Sequence, residues 1–213
     1  MRTQIATALE DIAVRIKELL ESLQHPALAP FLEDWPLTYL GRQITAADLP
    51  VLRWLPDLAR DITPFGAELV RDLCRSAPSL NWRQTYTTRD LDRAFLDNYG
   101  WSEIVGAAGP IDSGRMACGF LLLGPSTLYP LHRHAAEELY VPIRGMAAWQ
   151  QGDAVWREQP PGAPIHHRSE EPHAMRTAAQ PLLALYVWRG ANLAQKARLD
   201  AAQASQSLTP PTE

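Results

Sequence analysis

The chain has 213 residues, of which 46% are hydrophobic and 21% are charged, and its net charge is -4. This composition is that of a globular protein with a buried core, and the length fits one domain with an extension. The acidic balance argues against a nucleic-acid binder, because such proteins usually carry a basic surface. Two cysteines, Cys74 and Cys118, form no disulfide framework and are compatible with a reducing cytoplasm.

The N-terminal residues are predicted to form an amphipathic helix. Apolar side chains recur there at steps of three and four, at Ile5, Leu9, Ile12, Ile16, Leu19, Leu20 and Leu23. Acids and bases interrupt this pattern, unlike that of a signal peptide, and no stretch reaches the ~20 apolar residues of a membrane span. We therefore expect a cytoplasmic protein that makes no contact with membranes.

Three shorter helices are expected in the rest of the N-terminal half, over residues 45–60, 64–75 and 88–97. The second is indicated by Thr63 followed by Pro64, a pair typical of a helix start. Prolines divide this half of the chain into short pieces.

The pattern changes near residue 100. Short apolar or alternating runs begin there, namely RMACGFLLLG, LYVPIRG, MAAWQQG, AVWREQP and LLALYVW. Such runs, separated by Gly and Pro, are typical of a small antiparallel sandwich or barrel. We expect a helical region over 1–100 packed on a β-barrel over 101–190. A C-terminal helix, ANLAQKARLDAAQ, and a disordered tail should follow over 191–213.

A histidine pair marks the candidate site, in the stretch PLHRHAAEELYVPIRG, residues 130–145. His132 and His134 are two residues apart, so on a strand both side chains point to the same face. Two imidazoles on one barrel wall can reach one metal ion, although such pairs are also common on solvated strands. A carboxylate is a natural third ligand, and Glu138 matches His134 in strand parity whereas Glu137 does not.

A later histidine could complete the set of ligands. The candidate is His173 in SEEPHAMRT, where a Pro-His step enters a strand, and His166 and His167 compete with it. Neutral imidazoles with one carboxylate suit a divalent first-row metal such as Fe, Zn, Mn, Ni or Co.

The frame around these residues resembles the cupin superfamily. Gly124, the His-x-His pair, Glu138 and Gly145 resemble its first motif, and PPGAPIHHRSEEPHAM resembles its second. The resemblance implies a mainly β fold with helices, the antiparallel cupin β-barrel or jelly roll, with a metal site. It favours Glu138 and His173 over their competitors. The spacing before His132 is longer than the usual cupin pattern.

Tyr140 follows Glu138 by two residues and would share its face, beside the metal. A nearby cation lowers the pKa of a phenol, and the resulting phenolate can remove a proton from carbon. Glu-x-Tyr after His-x-His, with PHAMRT further on, resembles the cupin lyases that cleave dimethylsulfoniopropionate. NWRQTY at 81–86 and YVWRG at 186–190 extend that likeness. The resemblance places metal ligands at His132, His134, Glu138 and His173, the catalytic base at Tyr140 and a second active-site tyrosine at Tyr129.

The implied substrate is a small zwitterion with a carboxylate and a dimethylsulfonium cation. Aromatic faces hold such cations, and the candidates are Trp188, Tyr186, Trp82 and Tyr86. The same ligand set would serve a cupin dioxygenase or isomerase of small carboxylates, or a cupin that only binds a small ligand. No nucleic-acid partner is expected, and exposed sheet edges leave a homodimer open.

Overall fold

A computed structural model describes residues 2–39, 41–190 and 192–200 of the chain, with the backbone alone for residues 2–7. The α-helices are α1 (Arg2–Ser22), α2 (Ala29–Glu33), α3 (Leu55–Arg60), α4 (Ala67–Ser76) and α5 (Arg93–Leu96). Short 3-10 helices cover Pro26–Leu28, Pro50–Trp54 and Ala77–Ser79.

The rest of the fold is built from β-strands. These are β1 (Trp82–Arg83), β2 (Tyr99–Val105), β3 (Met116–Leu123), β4 (Leu128–Arg133), β5 (Glu137–Arg144), β6 (Ala147–Gln151), β7 (Arg157–Gln159), β8 (Ile165–His167), β9 (His173–Thr177), β10 (Leu182–Arg189) and β11 (Arg198–Leu199). Each of the five apolar runs singled out in the sequence coincides with most or all of one of these strands.

Two antiparallel sheets face each other. The first has the strand order β1-β2-β3-β10-β5-β8, and the second has the order β11-β4-β9-β6-β7. After β3, consecutive strands alternate between the sheets except for the pair β6 and β7, which gives the jelly-roll path. The predicted cupin barrel with an N-terminal helical region is thereby confirmed.

The helices cover the outer face of the six-stranded sheet. Ile12 and Ile16 of α1 belong to one apolar cluster with Phe120, Val141 and Leu185 of the sheet. A second cluster, which includes Leu121 and Met175 among others, fills the barrel interior. Strand β3 lies between these two apolar layers, so all eight of its residues are buried. A strand in this position must be apolar on both faces.

Helix α1 is confirmed, but the next three predicted helices are shorter than expected. Within 45–60 only the 3-10 helix and α3 form, and within 64–75 the helix begins at Ala67. The residue before it, Gly66, adopts a left-handed conformation with φ 63°, which glycine tolerates. Within 88–97 only α5 forms, because the Asp92 side chain caps it by accepting the Phe95 N–H at 2.8 Å.

The predicted C-terminal helix is wrong for the described residues 192–200. They form a turn followed by β11, which pairs with β4. The Asp200 N–H donates to the Leu131 carbonyl at 2.9 Å, and the Asp200 carboxylate pairs with Arg133. These contacts with the barrel outweigh helix propensity. The predicted disordered tail lies outside the described residues. Of the helices in the described ranges, none combines the length and the apolarity needed to cross a bilayer.

The packing of α1 on the sheet gives a test of the fold. Ile12 is 0% exposed and Val14 is 39% exposed. Ile12→Ala should lower the free energy of unfolding by about 2 to 5 kcal/mol, because it leaves a cavity in the shared core. Val14→Ala, the matched control, should change it by less than about 1 kcal/mol. Urea unfolding followed by tryptophan fluorescence measures both, and equal small losses would contradict packing of α1 into this core.

Candidate metal centre and cavity

Strands β4, β5 and β9 bring the predicted ligands together inside the barrel. His132 on β4 lies directly opposite His173 on β9 in the strand register. His134 follows the end of β4, and Glu138 is near the start of β5. All four side chains are buried, with exposures of 0 to 3%.

Three of these side chains converge on one point. His134 Nε2 lies 2.9 Å and His173 Nε2 lies 3.0 Å from Glu138 Oε2, and one ligand atom from each lies within 4.8 Å of the others. His132 lies beside this trio, with its ring centroid 4.2 Å from that of His173 and 6.4 Å from that of His134. The structure therefore groups three candidates tightly and places the fourth at their edge.

The three imidazoles are oriented in the same way, by a contact with the backbone. Each Nδ1 lies within hydrogen-bond distance of a backbone carbonyl two residues away, at 2.8 Å for His132, 2.9 Å for His134 and 2.9 Å for His173. A carbonyl only accepts, so each Nδ1 carries a proton and each Nε2 is left as the atom that could face a metal ion. The Nε2 of His134 lies within hydrogen-bond distance of the Glu138 carboxylate. Such a contact at Nδ1 is common among histidines that bind metals.

The His173 Nε2 atom supports this interpretation. It is buried and makes no hydrogen bond of acceptable geometry, although it lies 3.0 Å from the Glu138 carboxylate. A buried polar nitrogen without a partner is costly. A bound cation between the two groups would satisfy both, and three imidazole nitrogens with one carboxylate fit a divalent first-row metal.

Electrostatics favour the metal-binding forms of Glu138 and His132. Burial raises the pKa of Glu138, but the adjacent His134 and His173 outweigh it and hold that pKa well below its usual value. Trp188 Nε1 also donates to Glu138 Oε1, at 2.5 Å. Burial, with His173 close by, lowers the pKa of His132 well below its usual value, so that its imidazole is neutral. For His134, burial lowers the pKa, but the adjacent Glu138 carboxylate outweighs burial and raises it.

The competing candidates lie on different faces. Glu137 points away from the trio and pairs with His166 at 2.7 Å and with Arg189 at 2.8 Å. His167 faces inward and is wholly buried, stacked on His173 with ring centroids 4.0 Å apart. Its Nε2 has no hydrogen-bond partner, but His167 lies outside the trio of converging ligand atoms. The stack makes it a packing neighbour of His173, a role that the sequence did not indicate. The alternation of inward and outward side chains along β8 could have indicated that His167 faces the interior. His167 lies opposite Glu138 in the strand register.

The two predicted tyrosines border the same centre. Tyr140 is 4% exposed, and its ring centroid lies 6.4 Å from that of His173. Burial and the nearby Glu138 carboxylate raise the pKa of Tyr140 well above its usual value. Tyr129 stacks on His132, with ring centroids 3.9 Å apart and an angle of 5° between the rings.

A chain of hydroxyl groups, which the sequence did not indicate, leads to Tyr129. Its hydroxyl lies 3.2 Å from that of Tyr86 and 3.5 Å from that of Tyr99. Tyr99 in turn contacts the Thr85 hydroxyl at 2.9 Å, and burial raises the pKa of Tyr99 to about 12. These hydrogen bonds fix the position of the Tyr129 hydroxyl.

A cavity of about 370 Å³ opens at this centre. His132, His134, Glu138 and both tyrosines line it, together with the aromatic side chains of Trp101, Tyr186 and Trp188. Of the four aromatic residues that the sequence suggested for binding a cation, Tyr186 and Trp188 line this cavity. Trp82 instead packs in the core beneath the helices, and Tyr86 lies behind Tyr129.

Comparison with known proteins supports one family. A family model described as dimethylsulfoniopropionate lyase matches residues 40–184. The chain is 30% identical over 189 residues to the dimethylsulfoniopropionate lyase DddQ of Ruegeria pomeroyi, covering 88% of this chain and 92% of that protein.

Solved structures agree. The crystal structure of DddQ from Ruegeria pomeroyi DSS-3 superposes with a TM-score of 0.80 at 27% identity, covering 91% of this chain and 96% of that one. A structure from work on the dimethylsulfoniopropionate lyases RdDddP and RnDddQII gives a TM-score of 0.81 at 30% identity, covering 91% and 98%.

The orientation of the histidines predicts which variants lose metal. His134→Ala and His173→Ala should each weaken metal binding by about tenfold or more, because each removes an imidazole nitrogen that is oriented to bind the metal. His25→Ala removes an exposed histidine outside the cavity and should bind metal like the unaltered chain. Metal content after loading and desalting, measured by plasma mass spectrometry, provides the test. Full metal occupancy in both His134→Ala and His173→Ala would refute the assignment of these histidines as metal ligands.

Proposed function

The chain belongs to the dimethylsulfoniopropionate lyase family, and on that premise we propose that it cleaves dimethylsulfoniopropionate to dimethyl sulfide and acrylate. The observation that carries this proposal is the position of Tyr140 beside the buried His134–Glu138–His173 trio, at an aromatic-walled cavity that Tyr140, His134 and Glu138 line. This arrangement offers a base, a site for a cation and a place for a sulfonium group.

We propose that His132, His134, Glu138 and His173 hold a divalent transition metal. Such an ion would supply Lewis-acid polarisation of the substrate carboxylate and acidify the adjacent C–H. The burial of all four side chains limits the access of bulk water to their ligand atoms. The two sheets hold the residues in place, since they lie on or beside paired strands.

Tyr140 is the proposed base. In its buried setting the phenol is neutral when no cation is near, because burial and Glu138 raise its pKa. A bound cation nearby would oppose this effect and favour the phenolate form of Tyr140. The phenolate then takes the proton from the carbon next to the carboxylate. The C–H electron pair becomes the C=C bond of acrylate, the C–S pair stays on sulfur, and neutral dimethyl sulfide leaves.

Tyr129 is proposed to position the substrate. Its ring is fixed by the stack on His132, and its hydroxyl by Tyr86 and Tyr99. A hydroxyl held in this way can donate to a carboxylate oxygen without losing conformational freedom on binding. The family resemblance, which places a second active-site tyrosine at this position, supports the role.

The proposal is tested first by the products of the reaction. Purified, metal-loaded protein mixed with dimethylsulfoniopropionate should release dimethyl sulfide and acrylate in equal amounts. A chelator should suppress both, because the proposed elimination needs the bound cation. Headspace gas chromatography measures the sulfide, and liquid chromatography measures the acrylate. Absence of sulfide from protein that retains its metal would reject the lyase and point instead to a dioxygenase, an isomerase or a ligand-binding cupin.

Removal of the phenolic oxygen tests the base. Tyr140→Phe should bind metal normally and lower kcat by about 100-fold or more, since it deletes the proton acceptor but keeps the ring. The matched control is Tyr39→Phe, which removes a hydroxyl that hydrogen-bonds Trp35 outside the cavity. Metal content and initial rates are measured on both variants. Turnover retained in Tyr140→Phe would eliminate the phenolate mechanism.

A further inference from the structure

The cavity extends from the proposed metal centre along the inner face of the first sheet. Tyr140 on β5 lies opposite Tyr186 on β10 in the register. Tyr186 is opposite Gly119 on β3, and Gly119 is opposite Glu103 on β2. Gly119 has no side chain, and a Cβ atom there would lie 2.0 Å from the Ser102 carbonyl oxygen. No side chain therefore separates Glu103 from Tyr186 in this row.

Aromatic rings surround this part of the cavity. The ring centroid of Tyr186 lies 6.2 Å from that of Trp101 and 6.1 Å from that of Trp188, with steep angles between the rings. The Tyr186 hydroxyl is buried and has no hydrogen-bond partner. A buried, unpartnered hydroxyl beside a cavity points to a ligand that the cavity holds.

Glu103 contributes a carboxylate to the same cavity. Its Oε1 accepts the N–H groups of Ala108 and Gly109 at 2.6 and 2.9 Å, so Oε2 is not committed to that loop. Burial raises the pKa of Glu103, since the carboxylate has lost part of its hydration. A cation placed in the cavity would compensate for that loss.

We infer that Glu103 is the residue that makes this site select a cationic substrate. The carboxylate of the zwitterion binds at the metal centre, and its sulfonium end lies among Trp101, Tyr186 and Trp188 with Glu103 as counter-ion. The aromatic faces alone accept either a cation or a neutral branched group of the same shape. The negative charge distinguishes the two. This inference rests on the proposed function for the orientation of the substrate.

Besides Glu103, and Glu138 at the proposed metal centre, two charged side chains line the cavity, and both are cationic. Arg83 lies 5.5 Å from the Trp101 ring centroid, and Lys196 belongs to the C-terminal segment. Both are exposed, so water and salt screen their charges. Glu103 is partly buried and tied to the loop, so its charge acts in a less polar setting and dominates at the aromatic end.

The test uses two carboxylates of identical shape. 3-(Trimethylammonio)propanoate carries a cationic head, and 4,4-dimethylpentanoate carries the neutral carbon counterpart. Calorimetry on metal-loaded protein should show the cationic probe binding about tenfold more tightly. Glu103→Gln keeps an oxygen for the Ala108 and Gly109 N–H groups but removes the charge. It should reduce the preference to within about twofold. Glu158→Gln, an exposed residue of β7, should retain the full preference.

The outcomes separate this inference from the proposed function. A cation preference that is unchanged in Glu103→Gln, or an unaltered chain that binds neither probe or shows no preference, would overturn the inference. A preference that depends on Glu103, in a protein that releases no dimethyl sulfide, would support the inference and reject the lyase. Thermal unfolding of Glu103→Gln checks that the loop is intact, so that a lost preference reports on the charge.

Discussion

A carboxylate with no exposure to water, that of Glu138, sets the main physical constraint on this molecule. Removing a charge from water costs several kcal/mol unless partners replace the lost hydration. Here two imidazoles and the Trp188 indole surround the carboxylate. Their positions depend on three strands of the barrel and, for the two imidazoles, on the backbone carbonyls that orient the rings. Chemistry at this centre therefore depends on the whole barrel being formed.

The helical region makes that barrel wall possible. Strand β3 is buried on both faces, and without α1 its outer side chains would contact water. Arg189 adds a polar connection, since it pairs with Asp34 beyond α2 as well as with Glu137 next to the site. The N-terminal half thus stabilises the sheet that carries the aromatic cavity wall, whatever else it does.

Sequence patterns predicted the parts of this structure that depend on local periodicity. The stripe in α1, the five apolar runs and the shared face of His132 and His134 all follow from spacing along one element. Contacts between distant segments were beyond such patterns. Tyr99 contacts Tyr129, and His167 contacts His173, only because the two sheets face each other across the barrel interior. Likewise, the pairing of β11 depends on contacts with β4 that override local helix propensity.

The lengths of the strands have a consequence for assembly. In the described part of the chain, the strands at the sheet edges are β1, β8, β11 and β7, each of two or three residues, whereas the eight-residue strands β3, β5 and β10 are all internal. An edge this short offers few free backbone groups to a neighbouring molecule, which is one way in which proteins resist uncontrolled strand addition. The chain's own C-terminal segment occupies the edge of β4, the strand that bears His132. At high local concentration, the described edge strands would therefore offer a second copy little backbone ladder to extend.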